Sequence, residues 1–362
     1  MRSWRAYILP GLIFQSVIIG GGYATGRELV EFFIPSGPVG GLLGILVAGA
    51  AFSIVMSAAY EFARVTRSFD YRSFCKHLLG PAWILYEVAY VALVILILAV
   101  VGSAAGELVL TLLGVPATVG TVVMMVLVGL LTFLGSAVIQ RALAFWSVLL
   151  YLVYLALFII TFIDYGDAIQ TTLAADAGGD SWLLNGVRYA GYNINLPAVL
   201  FCMALLTSRR QAVGAGMITG AIAVIPAFMF YLAMMSQYPQ IAEQPVPALY
   251  LMAQLDTPWL QLLFQLVVFG TFVETGTGLL HSINERIDVQ ARESGHTLPR
   301  LARPLIAGGL LLVSVYGATE IGIVDLIAHG YGFLTYVFIA VLIVPLLTMG
   351  LWKIHRLSLQ GN

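Results

Sequence analysis

Residues 20–26 read Gly20-Gly21-Gly22-Tyr23-Ala24-Thr25-Gly26, and they interrupt an apolar stretch otherwise long enough to cross a bilayer. Arg27-Glu28 and then Leu29-Val30-Glu31-Phe32-Phe33 follow at once. Glycine weakens a helix and admits backbone conformations that other residues avoid. Unwound backbone at membrane depth persists only where it is buried in protein or lines a polar cavity. A broken first span is therefore a candidate binding site.

The surrounding composition places that break in a membrane. Hydrophobic residues make up 60% of the 362 residues and charged residues 10%, with a mean hydropathy of +0.96. Soluble domains carry roughly a quarter charged residues. The chain is predicted to be an all-α membrane protein. A spanning helix takes about 20 apolar residues, and such segments lie near 7–33, 38–66, 81–112, 116–136, 143–166, 183–206, 211–236, 258–287, 303–318 and 320–352. Ten spans put both termini in the cytoplasm. Of the 17 Lys and Arg residues, all but Arg27 and Arg188 then fall on the inner side. Outer loops carry Asp164, Asp167, Asp176, Asp180, Glu243 and Asp256 instead, the asymmetry expected of a multi-pass protein in a bacterial-type inner (plasma) membrane.

Arg2 and Arg5 precede an apolar run as in a signal peptide, but Pro10 interrupts it and no small-residue cleavage site ends it, so the segment is expected to be retained. Cys75 and Cys202, in an inner loop and a span, cannot build a disulfide framework. The connections near 67–80, 167–182, 237–257 and 288–302 are too short for a separate core, so residues 1–362 are expected to form one transporter domain. Beyond the lipid bilayer and a small-molecule substrate no partner is implied. No nucleic-acid patch appears, and the chain is expected to be a monomer or homo-oligomer.

The ten spans divide into five and five, near 7–166 and 183–352, joined by the outer loop Asp176-Ala177-Gly178-Gly179-Asp180. An odd number of spans per half gives the halves opposite orientations. The sixth span, counterpart of the first, is also interrupted, by Gly191-Tyr192-Asn193-Ile194-Asn195-Leu196-Pro197. Proline lacks an amide proton and clashes with the preceding turn, while Asn offers hydrogen bonds to freed backbone. One glycine-rich span usually means close helix packing; matched breaks five spans apart point to a secondary transporter's midplane site.

The segment Phe14-Gln15-Ser16, followed by Gly20 to Phe33, resembles the N-terminal signature of the YkvI-like family of amino-acid permeases. That family lies within the amino acid–polyamine–organocation superfamily. The resemblance implies a LeuT-type 5+5 inverted repeat with discontinuous helices 1 and 6. It also implies a symporter that imports an amino acid or related small amine, coupled to Na⁺ or H⁺, by alternating access.

At a broken helix the second fragment begins with unpaired amides that favour a carboxylate, here from Gly21, Gly22, Tyr23 and Ala24. The first fragment ends in carbonyls near Val17 and Gly20 that suit an ammonium group or Na⁺. Tyr192, Asn193 and Asn195 are candidate substrate contacts from the sixth span, although both Asn side chains could equally satisfy broken backbone. In LeuT-type sodium symporters, hydroxyls of the eighth span complete a Na⁺ site. Thr271 and Thr275, four residues apart on one helix face, match them, with Thr277 next; threonine also bonds back to its own helix. Glu274, midway along that span, is a proton-coupling candidate unless it merely pairs with polar groups nearby. In the resembling fold an Arg above the first break can form an outer gate with an acidic residue of span ten. Arg27 with Glu320 or Asp325 would fit, as would a snorkelling Arg27. Glu28, on a different helix face, is expected to meet Arg188 or water.

The loop 69–79 reads as an amphipathic inner helix, and 245–252 resembles the outer-loop helix over the entry vestibule in this fold. His281 and His329 have no second ligand at metal spacing, so no metal beyond Na⁺ and no cofactor is expected. The competing reading is a membrane-embedded receptor of the germinant-receptor type, which binds ligand without transport. A channel lacks charge rings or a carbonyl filter, and an enzyme lacks any nucleophile–base set.

Overall fold

The computed structural model describes residues 3–132, 136–176, 178–194, 196–255, 257–293 and 302–360. Asn195, Ala177 of the joining loop and Asp256 therefore lie outside the described residues. Among the described residues the chain is helical and has no strand.

Helix α1 (Ser3–Ile18) ends at the glycine run. The Ile19 amide still reaches the Gln15 carbonyl at 3.0 Å, but the Gly20 amide turns back to Ile18 at 2.7 Å. A single turn, α2 (Gly21–Ala24), follows. Gly26 then takes φ 80°, a left-handed conformation suited to glycine. A Cβ there would also lie 3.1 Å from the Phe230 ring and 3.2 Å from Pro247. The chain resumes as α3 (Arg27–Phe33).

Next come α4 (Gly37–Thr66), α5 (Tyr71–Leu79), α6 (Trp83–Leu113), α7 (Ala117–Thr132) and α8 (Ser136–Ala174). Asp70 caps α5, accepting from the Ser73 amide at 2.8 Å, which bears out the short helix expected over 69–79. Helix α9 (Trp182–Asn193) stops at Ile194, and only 3₁₀ turns over Leu196–Ala198 and Leu200–Leu205 carry the chain onward. Both expected interruptions are present. Helices α10 (Arg209–Met234), α11 (Pro247–Ala253), α12 (Pro258–Glu293) and α13 (Ala302–Glu320) precede a last helical run over 323–360, in which α and wider π turns alternate.

Six helical stretches among the described residues are long and apolar enough to cross a membrane: Arg27–Thr66, Tyr71–Leu113, Val148–Ala174, Arg209–Gln237, Pro258–Leu280 and Ile323–Leu359. Shorter apolar helices cover Ala6–Gln15, Ala117–Thr132 and Leu305–Glu320.

The helices pack as two groups. In one, α10 lies along α4 and α1, and α9 lies along α4. Small residues make the α4–α10 approach possible. A Cβ at Gly220 would stand 2.2 Å from Ser53 Oγ and 2.3 Å from the Gly49 carbonyl, and one at Gly216 would stand 2.3 Å from the Ser57 amide. Ser53 Oγ donates across this seam to the Met217 carbonyl at 2.9 Å. In the other group α6 packs on α7 and α13, and α12 on α6, α7 and α8. Thr121 Oγ1 donates to the Gly102 carbonyl at 2.8 Å, and Trp146 Nε1 to the Val267 carbonyl at 2.8 Å. Lipid supplies no hydrophobic drive between helices, so close packing and such hydrogen bonds hold each group together.

Candidate functional site

The two helix breaks meet through side chains. Glu28, on the first turn of α3, points back over the glycine run and is only 4% exposed. Its carboxylate accepts a hydrogen bond from the Tyr192 hydroxyl at 2.6 Å, and a backbone hydrogen bond at Tyr23 also reaches it. A Cβ at Gly22 would sit 2.2 Å from Glu28 Oε1. Glycine at this position therefore clears the space that the carboxylate fills. Among the described residues no salt bridge reaches Glu28. Its expected meeting with Arg188 does not occur: the Arg188 guanidinium lies 5.9 Å from the Tyr336 ring centre.

Aromatic rings enclose this carboxylate. Tyr192 stacks on Tyr331 with centroids 4.5 Å apart and on Phe32 at 5.4 Å, and it meets Tyr189 edge-on at 5.9 Å. Tyr331 closes the first π segment of the last run, Leu326–Tyr331, a wide turn of a kind common at functional sites. Tyr23, Tyr189, Tyr192 and Tyr331 all lie within electrostatic reach of Glu28. The hydroxyls of Tyr23 and Tyr189 are buried without a hydrogen-bond partner.

The structure thus brings Gly22, Tyr23 and Tyr192 to one place, but with Glu28 where a substrate carboxylate was expected. Gly21 and Ala24 belong to the same single turn, and the Ala24 carbonyl accepts from the Tyr154 hydroxyl. Asn193 is buried and donates to the Tyr189 carbonyl at 3.1 Å. That is the backbone-satisfying alternative rather than a free substrate contact.

The cation candidates converge only in part. A Cβ at Gly20 would lie 3.6 Å from Thr275 Cγ2, 3.9 Å from Thr275 Oγ1 and 3.7 Å from the Val17 carbonyl oxygen. Val17, Gly20 and Thr275 are therefore neighbours across α1 and α12. Thr271 instead donates to the Val267 carbonyl of its own helix at 2.9 Å. The Thr277 hydroxyl is buried without a partner. Glu274 is half-buried and acts electrostatically on Tyr151, whose hydroxyl donates to Gln15 Oε1 at 3.3 Å.

The expected outer gate is not formed. Arg27 pairs with Glu31 at 3.2 Å and donates to the Ala242 and Gln244 carbonyls at 3.2 and 3.1 Å. Asp325 instead faces His329 at 3.9 Å, and Glu320 is exposed. The bend at Gly26 turns α3 toward the 240–246 loop, so Arg27 reaches carbonyls there rather than the last helical run. The same bend is tied to α11, where the Ala248 amide donates to the Thr25 carbonyl at 2.9 Å.

Beside Tyr23 runs an apolar groove of about 280 Å³, lined by Gln15, Ile19, Tyr23, Tyr151, Tyr154, Phe158 and Met229, among others. It lies between the two helix groups, with α1 and α10 on one side and α8 on the other. Residue spacing did not single out Glu28, Tyr189 or Tyr331 as site residues. A carboxylate two residues beyond the glycine run was the available signal for the first. Nothing local marked the two tyrosines.

No protein-family model matches the chain. It is 24% identical over 339 residues to the uncharacterized membrane protein YkvI of Bacillus subtilis (strain 168), covering 91% of this chain and 92% of that one. In structure it resembles the manganese transporter of Eremococcus coleocola, with a TM-score of 0.57 at 16% identity, over 99% of this chain and 86% of that one. It also resembles a Na⁺-coupled sialic acid symporter, with a TM-score of 0.53 at 12% identity, over 96% and 86% of the two chains. The chain has the fold of these membrane transporters, which are not enzymes.

Proposed function

We propose that this chain is a secondary active transporter with ten spans in a LeuT-type 5+5 arrangement, importing an amino acid or related small amine by alternating access. One observation carries the reading: the Tyr192–Glu28 bond joins the two broken helices at the point where both backbones leave the helical path. Matched breaks facing one another are the recurrent geometry of a midplane binding site. The likeness to solved transporters supports it at the level of fold.

Ten spans are obtained when the six long stretches are joined by the split first helix, α7, the split α9 segment and α13. Residues 1–362 then act as one domain in a bacterial-type inner membrane, with both termini cytoplasmic. The two helix groups provide the bodies that would rock against each other, with the glycine run between them. Coupling to Na⁺ is preferred over H⁺. The Val17 carbonyl and the Thr275 hydroxyl both lie close to Gly20, and hard oxygen donors of this kind suit that ion. Glu274 is the residue for the proton alternative.

Uptake of labelled amino acids and amines into proteoliposomes, under separate Na⁺ and H⁺ gradients, tests this directly. Accumulation driven by Na⁺ is expected, with Thr275→Ala lowering the apparent Na⁺ affinity about tenfold or more and Glu274→Gln leaving the Na⁺ dependence in place. A response to the H⁺ gradient alone, abolished by Glu274→Gln, would transfer coupling to that carboxyl. No uptake of any panel member under either gradient would overturn the transporter reading.

A further inference from the structure

We propose that the site takes an organic cation without a carboxylate of its own, a small amine or ammonium compound, whose charge is met by Glu28 and by the tyrosine rings around it. The inference rests on the transporter reading above and narrows its substrate class from amino acid or amine to amine.

Three observations point the same way. First, the space over Gly22 that a substrate carboxylate would need is filled by the carboxylate of Glu28. A substrate carboxyl group could enter that place only by displacing the Glu28 side chain. Second, Glu28 is 4% exposed, and among the described residues no basic side chain pairs with it. A cation brought beside a carboxylate so buried gains a strong electrostatic partner. Arg27 is held by Glu31 and two carbonyls, and the Arg188 guanidinium lies over the Tyr336 ring. Third, the walls are aromatic. Tyr192 stacks with Tyr331 and with Phe32 beside the carboxylate, and aromatic rings attract ammonium groups through their quadrupole.

The Tyr23 and Tyr189 hydroxyls, buried and unpartnered, leave acceptor oxygens on the same carboxylate's surroundings for the N–H groups of a primary amine. Tyr23 also lines the groove of about 280 Å³, just below the roughly 300–1,000 Å³ of ligand pockets and so suited to a small molecule. Ile19, Leu150 and Phe158 of that groove provide an apolar wall for the ligand's tail. The predicted cargo is therefore a compact molecule with one positive end and one apolar end.

Matched pairs that differ only by a carboxylate give the test: phenethylamine against phenylalanine, 3-methylbutylamine against leucine, with tetramethylammonium as a third probe. Binding to the purified full chain is read by ligand-induced thermal shift, and uptake is read in proteoliposomes. At least one amine should bind tenfold or more tighter than its amino acid. Glu28→Gln keeps the shape and an acceptor for Tyr192, and it should erase that preference, while Glu28→Asp should retain part of it. Equal or tighter binding of the amino acids by the parent overturns the proposal without recourse to any variant. So does a Glu28→Gln protein that keeps the amine preference, or one in which only the pH dependence of uptake changes, which would make Glu28 a proton site. The two levels separate cleanly: amino acids accumulated in place of amines sink this inference and spare the transporter, whereas amines bound with the expected ranking but never accumulated do the reverse.

Discussion

Glu28 and Gly22 are coupled by contact, and the coupling is stringent. A methyl group on Gly22 would have to occupy space 2.2 Å from Glu28 Oε1 and 2.9 Å from its carboxyl carbon. Gly22→Ala should therefore push the carboxylate off the break and strain the Tyr192 hydrogen bond. Overpacking of this kind costs about 1–3 kcal/mol, and a buried polar group left without its partner costs a similar amount. The expected result is a lower melting temperature in detergent together with loss of ligand-induced stabilisation. A Gly22→Ala protein that melts and binds like the parent would show that the carboxylate does not need that space.

Between helices the same logic of small residues sets stability. The α4–α10 seam lets backbone approach backbone because Gly49, Ser53, Gly216 and Gly220 present almost no side chain there. Gly220→Leu should force the helices apart and break the Ser53–Met217 hydrogen bond, destabilising the detergent-solubilised protein by at least about 1–3 kcal/mol. Gly309, in α13, is the control, since a Cβ there meets nothing within 4 Å. Gly309→Ala should be neutral or stabilising by up to about 1 kcal/mol, through helix propensity alone. Thermal unfolding of the two variants side by side checks the contrast, and equal melting points would refute it.

At the level of the whole molecule, the proposed topology places α5 and the 240–246 loop on opposite sides of the bilayer. Lys76 and Glu243 are exposed, and the native Cys75 and Cys202 are buried. Lys76→Cys should react with a membrane-impermeant maleimide only after cells are opened, and Glu243→Cys in intact cells. Labelling of both from one side would invalidate the ten-span count, whatever the fate of the site.

Composition and spacing determined the membrane setting, the helical class, the helix over 69–79 and the places where two helices break. Those properties follow from local chemistry: hydropathy over about 20 residues, glycine and proline within a span, and an Asp cap before an amphipathic turn. Tertiary structure alone decided what stands at the breaks. Glu28 is polar whatever its surroundings, yet its partner Tyr192 lies 164 residues away, and Tyr331 arrives from the last helical run. The resemblance implies an acidic partner on the last span for Arg27, with snorkelling as the alternative, but the Gly26 bend aims it at the Ala242 and Gln244 carbonyls. The direction of a side chain that emerges from a kink depends on the dihedrals of the kink and on the neighbours that fix them. Both are settled when distant helices pack.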